Sequence, residues 1–238
     1  MSLFEPTENG LLGTHVLWND IEEAMQNAFG TDSHFGPNRK VTNIGDMKGF
    51  LSRLALIEPD WVSSNIHSIK LPDKFVVKIA SQLSLIEIAR MTKNTILEKE
   101  KIPQMRDITK TFHNREIEIY KIIEKENNPK IIHPKMYTFK YLNDLTDLKA
   151  FIVSEYIPNV YISMHESISA ENLIPVLKTL AAFSALGEKI PKSELSFVSK
   201  TSLWTDVLKD IKDDEVCEAV YFSANLKTFR AFNDRHLF

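Results

Sequence analysis

The 238-residue sequence predicts an α+β protein, with an antiparallel sheet and flanking helices over residues 1–157 and a helical segment over 158–238. Three observations lead there. Short runs rich in Val, Ile and Phe recur at 40–45, 50–59, 75–80, 135–142 and 149–156, bounded by Gly, Pro and Asn as strands are. Apolar residues at steps of three and four mark helices between these runs. From Ile168 onward the pattern is helical alone.

Taken in order, residues 1–16 read as an irregular lead-in. Trp18, Ile21, Met25 and Phe29 share one face of a helix over 17–29, and Gly30 is its stop. The stretch 31–38 is turn-rich, with Gly36-Pro37 breaking any regular element. Strands at 40–45 and 50–59 form a hairpin around Asp46-Met47-Lys48-Gly49, and 61–71 is a connecting loop before the strand at 75–80. A helix over 83–97 turns Leu85, Ile86, Ala89 and Ile96 inward. Pro103 separates it from a second helix, which Asn128-Pro129 closes. The runs 135–142 and 149–156 pair antiparallel, and Ser154-Glu155-Tyr156-Ile157-Pro158 leads the chain out of the sheet. Leu173, Leu177, Leu180, Ala181 and Phe183 mark a buried helix ending near Gly187, capped by Ser169 or Asn172. Further amphipathic helices are expected at 203–211 and 216–229.

The strand Phe75-Val76-Val77-Lys78-Ile79-Ala80 carries one lysine among apolar residues. Strand alternation sets Phe75, Val77 and Ile79 on one face and Val76, Lys78 and Ala80 on the other. In the following long helix, Ile108, Phe112, Glu116, Ile119 and Ile123 recur on one stripe, whereas Glu118 falls off it near Asn114 and Lys121. A carboxylate within an apolar stripe is costly to bury without a cationic partner. Kinase-type folds hold ATP with this combination, the lysine on the α/β-phosphates and the glutamate fixing the lysine. A surface lysine and a boundary glutamate that never meet is the alternative. The hairpin Gly45-Asp46-Met47-Lys48-Gly49 lies where such a fold covers the phosphates, because backbone N–H groups approach an anion closely where side chains are absent. It lacks the Gly-x-Gly-x-x-Gly of protein kinases, and taken alone it reads better as an ordinary hairpin with glycine in its turn; only its position before Lys78 favours the phosphate loop. Glu155, Tyr156 and Ile157 occupy the position of the adenine-binding strand exit; any strand ended by a proline reads the same way.

Composition sets bounds. Hydrophobic content of 43% and charged content of 26% fit an ordinary globular protein with its own core. A net charge of −3 gives no reason to expect a nucleic-acid or anionic-membrane binder. The one cysteine, Cys217, rules out an internal disulfide and fits a reducing compartment. No apolar run has the length of a membrane span and no signal peptide is visible, so the expected location is the cytoplasm. The seven histidines are scattered without metal-ligand spacing, and no metal site is expected.

Several stretches together resemble the CHK-kinase-like proteins of nematodes and insects, close to the ecdysteroid-kinase-like group within the choline kinase and aminoglycoside phosphotransferase superfamily. They are GTHVLWNDIEEAMQNAFGT (13–31), FGPNRKVTNIGDMKGFLSRLALIEPDW (35–61), LPDKFVVKI (71–79), FHNREIEIYKI (112–122), VSEYIPNV (153–160) and LKTLAAFSAL (177–186). The resemblance implies a protein-kinase-like N-lobe over 1–157 and an incomplete helical C-lobe over 158–238. It implies Lys78 as the phosphate-contacting lysine, Glu116 as its partner, the loop from Gly45 through Asp46 and Lys48 to Gly49 over the phosphates, and Glu155, Tyr156 and Ile157 as the hinge.

Such proteins carry a His-Gly-Asp catalytic loop followed by a metal-binding aspartate, and this chain contains no His-Gly-Asp. Asp206, Asp210, Asp213, Asp214 and Asp234 have no such histidine-glycine beside them. The expectation is a kinase-like chain truncated before its catalytic loop, without phosphotransferase activity and with no catalytic residue to assign. It would bind ATP weakly, and Mg²⁺ only with the nucleotide. Two alternatives stand beside it. One is a fragment or short form of an ATP-dependent kinase acting on a small hydroxyl compound. The other is a non-catalytic module that binds a protein partner on the exposed helices of 158–238.

Overall fold

Five strands form the main sheet in the order β2 (Lys40–Asn43), β3 (Ser52–Glu58), β5 (Phe75–Ala80), β7 (Phe151–Glu155) and β6 (Met136–Lys140), every neighbouring pair antiparallel. The computed structural model describes residues 2–45, 50–62, 70–92, 102–143, 147–158 and 167–198. Among these the architecture is α+β, with four α-helices: α1 (Trp18–Phe29), α2 (Leu83–Thr92), α3 (Ile102–Glu126) and α4 (Ala170–Lys189). The chain divides into two units, Met1–Pro191 and Lys192–Phe238. Of the second, 192–198 are described, as turns held by Leu195 N–H to Lys192 C=O and Val198 N–H to Leu195 C=O. The helices expected at 203–211 and 216–229, and the late aspartates, lie outside the described residues.

The strand alternation predicted for β5 is observed. Phe75, Val77 and Ile79 are fully buried, and they join Ala55 and Ile57 of β3 and Phe151 and Val153 of β7 in one core. Helix α1 covers this face with Ile21 and Met25, both fully buried. Its ends follow local chemistry. Asp20 accepts the Leu17 N–H at 2.7 Å, and Gly30 closes the helix in the left-handed region, φ 62°. Lys149 reaches Asp20 at 2.8 Å and ties the start of α1 to the chain entering β7.

The described part of the lead-in is irregular, as expected, apart from a 3-10 turn at Leu11–Gly13, and it also enters the core: Leu3, Phe4, Leu11 and Val16 are buried, and Gln82 N–H donates to Leu3 C=O. Three expectations are corrected. The presumed turn and loop at 31–38 and 61–71 contribute a two-stranded sheet, β1 (His34–Phe35) with β4 (Trp61–Val62), because Phe35, Trp61 and Phe75 gather their rings there. Two-residue strands carry no periodicity to read. Gly187 does not stop α4, which runs to Lys189; a single interior glycine costs about 1 kcal/mol, whereas Ile190, preceding Pro191, is forced extended. For α4 the buried helix is not observed, whereas the exposed helix face expected within 158–238 is: Leu173, Leu177, Leu180, Ala181 and Phe183 are exposed, and only Leu186 is buried, against Ile123 and Ile131. Ser169 does cap it, accepting the Asn172 N–H at 3.3 Å.

Candidate functional site

The second face of the sheet is only partly covered. Ile117 of α3 packs on Met136 and Ile152, so the helix lies over the β6–β7 side. The strip formed by β3 and β5 is left beside it, and a cleft of about 340 Å³ opens there. Its floor is one set of alternating residues: Ser52 and Leu54 of β3, Val76 and Lys78 of β5, Ile152 and Ser154 of β7. Register places Leu54, Lys78 and Ile152 in one row across three strands. Glu116 and Tyr120, one helical turn apart on α3, form the wall.

Lys78 and Glu116, 38 positions apart in the chain, meet in this cleft with Nζ 2.5 Å from Oε2. Their side chains remain 35% and 30% exposed. A pair this open adds only about 0–1 kcal/mol to stability, so packing does not require it. Lysine has three N–H donors and Glu116 takes one, which leaves the ammonium able to bind a second anion. Glu118 has other partners: it accepts from Lys121 at 3.2 Å and from the Tyr141 hydroxyl, and the Tyr141 bond, ahead of Lys121, holds its carboxyl below the usual range.

The buried stripe of α3 is shifted from the one expected. Ile123 is buried as expected, but Ile108, Phe112 and Ile119 are half-buried, whereas Thr109, His113 and Ile117 are buried. His113, one turn before Glu116, donates from Nε2 to the Lys140 carbonyl at 2.9 Å. Burial pushes its pKa below the usual 6.5; the hydrogen bond to Lys140 and Glu116 oppose the shift and Lys78 adds to it. Tyr120 is raised above 10, by burial first and by Glu116 second. Sequence reasoning missed both residues. Their signal was spacing, since positions 113 and 120 lie three before and four after Glu116 on its own face. Ser52, Leu54, Val76, Ile152 and Ser154 were legible by alternation once Lys78 was chosen.

The remaining candidates fall as follows. Gly45 lines the cleft, and a Cβ there would come 2.9 Å from the Leu54 Cβ, which explains glycine at this close approach. Asp46, Lys48 and Gly49 lie outside the described residues. Glu155 ends β7, donating its N–H to the Lys135 carbonyl at 2.8 Å. Tyr156 and Ile157 lie two and three residues after the lining residue Ser154, Tyr156 half-buried and Ile157 exposed. Among the described residues no three His, Cys, Asp or Glu gather in a metal-ligating group, and no helix is long and apolar enough to cross a membrane.

Fold and site together define an α+β protein with a lysine–glutamate pair set in an open cleft on one face of an antiparallel sheet. The chain belongs to the family described as "Uncharacterized oxidoreductase dhs-27", whose model matches residues 3–235. No curated protein and no solved structure matches it.

Proposed function

We propose that this cleft binds a nucleoside polyphosphate in the manner of a kinase-type N-lobe, as the resemblance to CHK-kinase-like proteins implies. The observation that carries the reading is the Lys78–Glu116 pair at 2.5 Å, standing in a cleft rather than in the core. Lys78 would contact the α/β-phosphates while Glu116 fixes its ammonium. The loop from Gly45 to Gly49 would cover the phosphates, and the backbone of Glu155, Tyr156 and Ile157 would receive the base. A cleft of about 340 Å³ falls at the lower end of the size range of small-molecule sites. Glu116 is the sole carboxylate among its described lining residues and is already engaged by Lys78, so no residue is assigned to Mg²⁺.

Phosphoryl transfer needs a group to orient the acceptor hydroxyl and carboxylates to hold Mg²⁺. This chain has no His-Gly-Asp to supply the first, and the proposal is therefore binding without transfer by the chain itself. The family description carries the word oxidoreductase. A doubly wound dinucleotide site is built on parallel strands and a Gly-x-Gly-x-x-Gly turn. The seven glycines contain no such string and the strand pairs described here are antiparallel. The phosphate-binding lysine is the better-supported reading.

A second reading, a protein-interaction module, is favoured by one observation: Leu173, Ile174, Val176, Leu177, Leu180 and Phe183 of α4 are all exposed. Calorimetric titration of ADP and ATP, with and without Mg²⁺, decides between them. The nucleotide reading expects saturable binding that weakens at least about tenfold in Lys78→Ala, the factor carried by one charge-assisted contact of about 1.4 kcal/mol. It also expects no phosphorylation of small alcohols above that variant. Absent binding, or binding indifferent to Lys78→Ala, overturns it.

A further inference from the structure

Glu116 reaches Lys78 only if α3 is held at one depth and rotation against the sheet. We propose that Asn114 is the positioning residue of this pair, locking the middle of α3 to the chain leaving β6 before any ligand arrives. Asn114 Oδ1 accepts the Leu142 N–H at 2.9 Å, and its Nδ2 donates to the Leu142 carbonyl at 3.1 Å. Leu142 is 2% exposed and lies past the end of β6 at Lys140, where among the described residues no strand partner takes up its backbone groups. One side chain must therefore both donate and accept at the same residue, which asparagine does and neither aspartate nor leucine can. The neighbouring His113 adds a bond to the Lys140 carbonyl at 2.9 Å, so successive α3 residues grip 140 and 142.

Asn114 stands two residues before Glu116, about 3 Å along the helix axis, and so sets where that carboxylate falls. Two further ties of α3 are remote from Glu116: Gln82 Nε2 to Thr109 Oγ1 at 2.8 Å lies nearly two turns before it, and the Met136 N–H to Glu124 at 3.3 Å about two turns after. Exposed ties such as Lys110 Nζ to the Asn143 carbonyl are free to stretch. The pair is thus built into the resting protein rather than assembled by a ligand swinging the helix inward.

The test reads the pair directly. An N-hydroxysuccinimide ester acylates Lys78 in the full chain, and the rate is followed on the Lys78 peptide by mass spectrometry. Glu116→Gln frees the amine and sets the fast limit. Asn114→Ala is expected to raise the rate by up to about fivefold towards that limit, the factor carried by about 1 kcal/mol, the upper end for a pair this open and the net worth of one hydrogen bond. It should add nothing in the Glu116→Gln background. Asn114→Asp keeps the acceptor and loses the donor, so it falls between and serves if the alanine variant does not fold. Lys121→Ala, which breaks an exposed tie of the same helix, should react like wild type. Folded Asn114 variants labelled at the wild-type rate overturn the proposal. So does a rate gain that persists in Glu116→Gln, since a general loosening acts independently of Glu116. A second arm rests on the nucleotide reading: ADP affinity should fall in Asn114→Ala but not further in the Glu116→Gln background. If wild type binds no ADP, that reading fails while the labelling result still decides the role of Asn114.

Discussion

His113 ties local chemistry to the stability of the whole fold. It is buried, donates to Lys140, and sits within the field of both Glu116 and Lys78. Because its folded pKa lies below the unfolded 6.5, the unfolded chain binds the proton more readily at any pH near or below that value. More protons on the unfolded state means that stability rises with pH. The contribution is therefore intact above about 6.5 and is lost as pH falls through that value towards the lowered folded pKa. Urea melts at pH 7.5 and 5.5 should show this loss in wild type, and a smaller one in His113→Gln; equal losses would contradict it. The meeting of Lys78 with Glu116 was legible because one charge interrupts each apolar pattern. His113 and Tyr120 were not singled out, because a histidine or tyrosine on a helix face reads as ordinary core until the neighbouring strand fixes what it faces.

At the scale of elements, the sheet was the legible part. Period-two alternation in β3, β5 and β7 follows from burial of one face, and a one-residue slip would turn Phe75, Val77 and Ile79 to the cleft. Helix faces were harder. The apolar count in α3 pointed to the stripe through Ile108 and Phe112, yet the buried positions are Thr109, His113 and Ile117, whose polar members are satisfied by Gln82 and Lys140. Burial, rather than hydrophobicity, predicts mutational cost. Ile117→Ala, at a fully buried position, should cost about 2–5 kcal/mol by urea denaturation. Leu177→Ala on the exposed face of α4 should stay within about 0.5 kcal/mol. A large loss at Leu177 would mean that this face is covered in solution. The reading of α4 as buried failed because an apolar stripe records what a helix can bury, not what lies against it.

Across the whole molecule, one sheet serves two purposes. Its α1 side is closed by buried aliphatic and aromatic groups, while its α3 side stays open along β3 and β5, where the ammonium of Lys78 projects. Order should follow this layout. Amides of β5, central in the sheet, should exchange with solvent only on global unfolding, and those of residues 172–183 in α4 should exchange earlier, through local opening. Equal protection would show α4 to be part of the same cooperative core. Amide chemical-shift mapping during an ADP titration checks directly whether the Lys78–Glu116 cleft receives a nucleotide, as proposed. Saturable shifts are expected at Ser52, Leu54, Val76, Lys78, Ile152 and Ser154, with exposed Glu23, Asn27 and Ala28 of α1, on the other side of the sheet, unaffected. Shifts confined to α1, or none at millimolar ADP, would contradict the nucleotide reading.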